Sequence, residues 1–199
     1  MSALRGRRFT KSAATRRASA QSTSGPALLS RSATERTFGN GSARLRTTKT
    51  ILVTGATDGI GLATAELLHA RGLDLLLHGR SEAKLERTRA LLNGRPGGGR
   101  VTTYRADLSS VASARGLVDK ILREEPQVDV LINNAGVFAM ADLRTDEGLD
   151  ARFAVNTLAP YVLACGLAGR LGPQGRIVNL SSAAQAPVSI DALTGRERL

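Results

Sequence analysis

Short apolar runs alternate with amphipathic segments from residue 51 onward. Each run is four to six residues long and stops at a turn-forming or polar residue, which is typical of strands buried on both faces. The runs predict five strands, at Ile51–Thr54, Leu73–His78, Val101–Tyr104, Val128–Ile132 and Arg176–Leu180. Strands of this kind belong to parallel sheets, whose neighbouring strands need long crossover connections.

The segments between the runs supply those crossovers. In the first of them Ile60, Ala63 and Leu67 recur at helical spacing, and Gly72 ends the pattern. The predicted helices run from Ile60 to Gly72, from the cap Ser81 to Leu92, from a cap at Ser109 or Ser110 to Pro126, and over Asp150–Ala168. Because strands alternate with helices, we expect a doubly wound α/β fold with a parallel sheet of about five strands.

The start of the chain differs from the rest in charge. Residues 1–50 hold 11 of the 28 Lys and Arg and one acid, Glu35, whereas residues 51–199 hold 17 basic and 16 acidic residues. The start is also rich in Ser and Thr and has no sustained apolar period. We therefore expect residues 1–48 to be a disordered basic leader and residues 49–199 to be the folded domain.

The leader leaves several functions open. An Arg- and Ser-rich, acid-poor start is typical of organelle transit peptides, and a basic arm can also neutralise nucleic-acid phosphates. An extension without function is a further alternative. Because no basic stripe continues into the domain, we expect no nucleic-acid partner. We expect a cytoplasmic protein, with organelle import through the leader as the alternative.

The composition excludes some classes of protein. One Cys cannot form an internal disulfide, and two distant His offer no metal site. Aromatic residues make up 3% of the chain and Trp is absent, which disfavours stacking on bases or sugars. The longest apolar run, near residues 158–167, is interrupted by Pro160 and Gly166, so we expect no transmembrane segment.

A glycine-rich turn joins the first predicted strand to the first predicted helix. Its sequence is Thr54-Gly55-Ala56-Thr57-Asp58-Gly59-Ile60-Gly61. In such a turn the first glycine bends the chain off the strand, the second admits a diphosphate to the backbone N–H groups, and the third allows close helix packing. The following helix points its free amides at the anion. The turn therefore predicts a dinucleotide site in a Rossmann-type sheet, formed by Gly55, Thr57, Asp58, Gly59, Ile60 and Gly61.

The end of the second predicted strand bears on the choice of cofactor. An acid there would bind the ribose 2′-hydroxyl of NAD, but the chain has His78-Gly79-Arg80. Because a guanidinium suits a phosphate, Arg80 favours NADP over NAD. A solvated residue ahead of a helix cap is the alternative for Arg80. We interpret His78 as strand packing.

Further motifs, in order after the turn, complete a family pattern. They are Asp107-Leu108, Asn133-Asn134-Ala135-Gly136, Asn156 and Asn179-Leu180-Ser181-Ser182. With the glycine-rich turn they resemble the short-chain dehydrogenase/reductase superfamily, and the segment from Arg152 to Pro160 resembles its retinol-dehydrogenase-like branch. The resemblance implies NADP-dependent hydride transfer between an alcohol and a carbonyl of a small molecule, with a lipophilic substrate as one option.

The resemblance also implies roles for cofactor-binding residues. Asp107 would accept a hydrogen bond from the adenine amino group, and Leu108 would lie against the ring. Asn133, Ala135 and Gly136 would end the fourth strand beside the cofactor. Turn formation and hydrogen bonding to loop backbone are the plain structural alternatives.

The catalytic residues that the resemblance implies are Asn156, which would bind a water on a proton relay, and Ser182, which would donate to the substrate carbonyl. The family's proton donor is a Tyr four positions before a Lys, after Ser182. The chain's two tyrosines, Tyr104 and Tyr161, both precede Ser182, and neither has a Lys at that spacing. We interpret Tyr161 and Cys165 as packed in the core.

We therefore expect impaired turnover. We also expect the family's C-terminal strands and helices, with most of its usual oligomer interface, to be missing. A non-catalytic dinucleotide-binding remnant or regulatory module is the alternative.

Overall fold

The computed structural model of the chain describes residues 48–138, 143–182 and 189–197. Apart from Thr48, the expected leader lies outside these residues. Five parallel strands form one sheet in the order β3-β2-β1-β4-β5, which confirms the predicted doubly wound fold. The strands are β1 (Thr50–Val53), β2 (Asp74–Gly79), β3 (Val101–Arg105), β4 (Val128–Asn133) and β5 (Leu171–Asn179).

Helices connect the strands, and polar caps fix where they begin. They are α1 (Gly59–His69), α2 (Glu82–Asn93), α3 (Val111–Glu124) and the helical segment α4 (Ala151–Arg170). The side chains of Asp58, Ser81, Ser110 and Asp150 each accept a hydrogen bond from a backbone N–H in the first turn of the following helix. The predicted choice between Ser109 and Ser110 thus falls on Ser110. A short helix, Ile190–Leu193, follows β5.

The predicted long helix is irregular in its middle. A π-turn over Ala154–Leu158 interrupts it, and a 3₁₀ turn over Ala168–Arg170 ends it. In the part of the chain that the structure describes, α4 is the one helix long and apolar enough to cross a bilayer by length and composition. Two of its leucines, Leu163 and Leu167, are fully buried in the core, so part of its apolar character serves packing.

The core has two layers because alternate residues of a strand point to opposite faces of the sheet. Leu52 and Leu76 pack on the face covered by α3 and α4. Their neighbours Ile51, Val53 and Leu75 pack on the face covered by α1 and α2. Both faces of β1 and β2 are therefore buried, as their continuous apolar runs predict.

Two predictions about α4 are wrong. Tyr161 is 67% exposed, and Cys165, one turn later, is also exposed. Leu163 and Leu167 hold the face of α4 that turns to the sheet, so positions 161 and 165 fall on the other side. The limits of β5 also differ from the prediction, since it begins at Leu171 and its pairing with β4 shifts register between Val128 and Val130.

Candidate functional site

A cavity of about 850 Å³ lies at the carboxyl ends of β1 and β2 and at the loop that follows β4. The sheet order places β1 between β2 and β4, and the chain leaves β1 and enters β4 from opposite faces. Open α/β sheets bind their ligands at such a topological switch point, where the connections of two neighbouring strands run to opposite faces of the sheet. Of the twelve predicted cofactor-binding residues, eleven line this cavity: Gly55, Thr57, Asp58, Gly59, Ile60, Gly61, Arg80, Asp107, Leu108, Ala135 and Gly136.

The glycine-rich turn packs backbone against backbone. Gly55 has φ +65° and Gly59 has φ +50°, which are left-handed conformations that favour glycine. A Cβ at Gly61 would overlap the Gly55 carbonyl oxygen and Asn134 Nδ2, and a Cβ at Gly55 would lie 2.9 Å from Ala135 Cα. The turn therefore keeps its shape, with the first turn of α1 facing the cavity, only while these two positions carry no side chain.

The hydroxyl of Thr54 ties the turn to the loop after β4. Thr54 Oγ1 accepts from the backbone N–H groups of Asn134 at 2.9 Å and Ala135 at 3.0 Å, and donates to the Ile132 carbonyl at 3.3 Å. Asn134 Nδ2 donates in return to the carbonyls of Thr54 at 2.9 Å and Gly55 at 3.2 Å. Asn134 lines the cavity but was not among the predicted site residues, although a polar residue directly after a buried strand is a visible signal.

His78 links the turn to the loop after β3. The Gly55 N–H donates to His78 Nδ1 at 3.4 Å, and His78 Nε2 lies 3.2 Å from the Ala106 carbonyl oxygen. The side chain is buried, and burial lowers its pKa to about 4, against smaller opposing contributions from Ala106 and Asp107. The ring is therefore neutral at pH 7, with its proton on Nε2. The structure places His78 at the end of β2 and in the cavity wall.

Two cations and two carboxylates line the cavity. Lys84, which sequence reasoning missed, lies in the first turn of α2, where its Nζ is 3.4 Å from Asp58 Oδ2. Asp107 Oδ1 accepts from the N–H of Ser109 at 2.9 Å and from its hydroxyl at 2.8 Å. Partial burial acts to raise the pKa of the Asp107 carboxyl, but these hydrogen bonds and the charge of Arg80 outweigh it and lower that pKa.

The twelfth predicted residue, Asn133, does not line the cavity. Its buried Nδ2 donates to Asn179 Oδ1 at 2.8 Å, across the register pair that joins β4 to β5. Asn134 and Ala135, directly after it, supply the contacts that the motif makes with the turn. The first asparagine of the motif therefore links two strands, and the second holds the cavity wall.

The two predicted catalytic residues lie outside the cavity wall. Asn156, in the π-turn, accepts from the Val137 N–H and donates to the Val137 carbonyl, each at 2.9 Å. Its side chain therefore anchors the loop that carries Gly136. Ser182 is an exposed residue three positions after β5, at the carboxyl end of the sheet.

The sequence matches the model of the short chain dehydrogenase family over residues 49–190. It is 39% identical to human retinol dehydrogenase 13 over 145 residues, which cover 72% of this chain and 44% of that protein. It is 36% identical to mouse retinol dehydrogenase 14 over 160 residues, which cover 74% of this chain and 48% of that protein. The chain therefore spans less than half the length of these two curated relatives.

Solved structures agree with this match. A short-chain dehydrogenase from Sphingobium yanoikuyae in complex with NADPH superimposes with a TM-score of 0.59 and 36% identity, covering 68% of this chain and 54% of that one. A metagenomic short-chain oxidoreductase in complex with NADP gives 0.61 and 31% identity, covering 71% of this chain and 66% of that one.

Proposed function

Because the chain belongs to the short-chain dehydrogenase family, in its retinol-dehydrogenase-like branch, we propose that it binds NADPH or NADP⁺ in the cavity as part of an oxidoreductase. The observation that carries the proposal is the cradle formed by the glycine-rich turn and Asn134. A Cβ at Gly61 would overlap the Gly55 carbonyl and Asn134 and so force this cradle apart, and the first turn of α1 lines the cavity beside it. An anionic diphosphate fits this place because helix N-termini present free N–H groups.

Each part of the dinucleotide has residues suited to it along the cavity wall. The amides of Ile60 and Gly61 would hold the diphosphate, next to the Gly59 N–H from which Asp58 Oδ1 accepts. Leu108 would lie against the adenine, and Asp107 would accept from its amino group through Oδ2, since Ser109 occupies Oδ1. Small residues at positions 135 and 136 leave room for the nicotinamide ribose.

The phosphorylated ribose is favoured by Arg80. Arg80 lines the cavity at the end of β2, where an acid would repel a 2′-phosphate. A guanidinium binds phosphate through charge-assisted hydrogen bonds. Both solved structures compared above are complexes, one with NADPH and one with NADP, which supports the same choice.

The substrate that we propose is a small alcohol or carbonyl compound, and the retinol dehydrogenase relatives favour a lipophilic one. The bound nicotinamide would supply or take the hydride. Ser182 would donate a hydrogen bond to the substrate oxygen, and Asn156 would hold the loop after β4 in place. A proton donor of the Tyr-x-x-x-Lys type does not occur in the 199 residues.

General acid–base catalysis contributes about 10²–10⁴-fold to rate. We therefore propose that these 199 residues alone turn over at least about a hundredfold more slowly than a full-length relative. The alternative is a nucleotide-binding module without catalysis, which the cavity would serve equally well.

Titration of the full chain with NADPH and NADH tests the proposal, with an Arg80→Met variant and Arg87→Met as its matched control. Arg87 is exposed on α2 and lies outside the cavity wall. We expect micromolar NADPH binding, weaker NADH binding, and a preference that Arg80→Met reduces about tenfold while Arg87→Met leaves it unchanged. The proposal is wrong if the folded wild-type chain binds neither nucleotide. If the chain does bind NADPH, an assay for NADPH-dependent reduction of a lipophilic carbonyl compound distinguishes a slow oxidoreductase from a non-catalytic module.

A further inference from the structure

The charged groups of the cavity wall balance to zero. Arg80 and Lys84 oppose Asp58 and Asp107, and the fifth titratable group, His78, is neutral at pH 7 because burial lowers its pKa to about 4. Each cation lies near one carboxylate. Lys84 Nζ is 3.4 Å from Asp58 Oδ2, and the charge of Arg80 helps to lower the pKa of Asp107. Removing either cation would leave the wall with a net negative charge.

Asp58 is the unfavourable member of this set for a phosphorylated ligand. It caps α1 by accepting from the Gly59 N–H at 2.8 Å, and its side chain is 83% exposed. Its carboxylate therefore lies at the amides that we propose for the diphosphate. The Asp58 carboxylate would repel a phosphate bound next to it, so an anion that enters the cavity needs a compensating cation nearby.

Lys84 is placed to provide that compensation. The cap Ser81 accepts from the Lys84 N–H, which puts Lys84 at the third position of α2, in the first turn after Arg80. Its side chain is 56% exposed and ends in a flexible ammonium. A phosphate monoester carries about −1.5 to −2 at pH 7, more than one carboxylate. It therefore competes with Asp58 for the same ammonium.

We propose that Lys84 is a second specificity-determining residue for the phosphorylated ribose, neutralising Asp58 in the free protein and turning to the 2′-phosphate when NADP(H) binds. The proposal rests on the function proposed above. The proposed role of Lys84 is confined to the 2′-phosphate, which NADH lacks, whereas a role in general nucleotide binding would affect both cofactors. Lys84 therefore contributes to discrimination between the two cofactors.

The test compares NADPH and NADH dissociation constants for the full chain and its Lys84→Met variant. Because the groups are exposed, we expect a moderate effect: NADPH binding weakens about threefold to tenfold and NADH binding changes less than about twofold. Asp58→Asn should tighten NADPH binding about twofold to fivefold. At 0.5 M NaCl both differences should shrink, because salt screens exposed charges.

Two further variants serve as controls. Lys84→Arg should keep the preference for NADPH. Lys49→Met removes the same charge just before the amino end of β1, whereas the cavity lies at the carboxyl ends of the strands, and it should change neither constant. Thermal unfolding of each variant checks that it folds.

The results separate this inference from the proposed function. If Lys84→Met weakens both nucleotides equally, or leaves NADPH binding unchanged, Lys84 does not determine specificity and the inference is wrong. If the wild-type chain binds neither nucleotide, the proposed function itself is wrong.

Discussion

The two neighbouring strands β4 and β5 differ sharply in how the rest of the fold covers them. Leu131 of β4 is fully buried, whereas its register partner Ile177 of β5 is 39% exposed. Val178 and Leu180 after it are similarly exposed. β4 lies between two strands, while β5 forms one of the two edges of the sheet in the described part of the chain.

This difference separates the two halves of the proposed chemistry. The cradle for the dinucleotide is built where β1, β2 and β4 are covered on both faces, and partly buried hydrogen bonds fix its shape. Ser182, the proposed substrate ligand, follows the exposed strand. The structure therefore supports cofactor binding by a preformed site more strongly than it supports catalysis.

The largest expected effect comes from Gly61→Ala in the cradle. The added methyl group would overlap the Gly55 carbonyl and the Asn134 amide, so the turn and the loop after β4 must separate. We expect NADPH affinity to fall by about a hundredfold or more, since the loss of correctly placed donors costs several hydrogen bonds to a charged group. Calorimetric titration measures this.

Gly116→Ala is the matched control for that variant. Gly116 lies inside α3, and a Cβ there would meet nothing within 4 Å. Because alanine is the better helix former, this variant should gain about 0.5–1 kcal/mol in the free energy of unfolding and keep its NADPH affinity. Equal affinities for the two alanine variants would contradict the assignment of the cradle.

The second prediction concerns the register pair directly. Leu131→Ala should lower the free energy of unfolding by about 2–5 kcal/mol, because it leaves a cavity in the core. Ile177→Ala should cost less than about 1 kcal/mol, because the side chain is already partly in water. Urea unfolding of both variants measures the difference, and similar losses would mean that β5 is covered in solution as β4 is.

The third and smallest effect depends on pH and on His78. Its pKa is about 4 in the folded chain and near 6.5 when unfolded, so below pH 6.5 the unfolded chain takes up a proton that the folded chain does not. Stability should therefore fall by about 1.5 kcal/mol as the pH drops from 6.5 to 5, and level off below about 4.

A His78→Gln variant should lack this part of the pH dependence. The carboxylates of Asp107 and Asp150, whose pKa values are lowered in the fold, lose their contribution only as the pH falls below about 4, so they do not mask the effect. Urea unfolding at pH 5 and 6.5 provides the measurement. The account of His78 would be wrong if wild type and variant lost stability in parallel.

The sequence predicts β1 to β4 and the glycine-rich turn well because they depend on local pattern, whereas it places the start of β5 five residues too late. A short apolar run bounded by turn residues is typical of a buried strand. Gly55 and Gly61 of the turn have no room for a side chain. The exposed sides of α4 were harder, since a helix that is apolar nearly all round gives no clear inner face. The sequence gives Tyr161 no cationic partner and Cys165 no activating neighbour, which predicts packing for both, yet both are exposed.

Lys84 was missed for a different physical reason. Its proposed role depends on its contact with Asp58, which lies 26 residues earlier in the chain. The two side chains meet because α1 and α2 both begin at the carboxyl end of the sheet. Asn133 and Asn134 also look equivalent in the sequence. Their separate partners, Asn179 and Thr54, follow from the point at which β4 ends.

The most direct test of the central claim is an amide NMR titration of the full chain with NADPH. If the cradle holds the nucleotide, the backbone N–H signals of Gly55, Gly59, Ile60 and Gly61 shift most, together with those of Arg80 and Asp107. Signals from Ile177 and Val178 on the exposed strand should stay nearly unchanged. Shifts confined to residues outside the turn, or saturation without any change in it, would contradict the claim that this turn binds the dinucleotide.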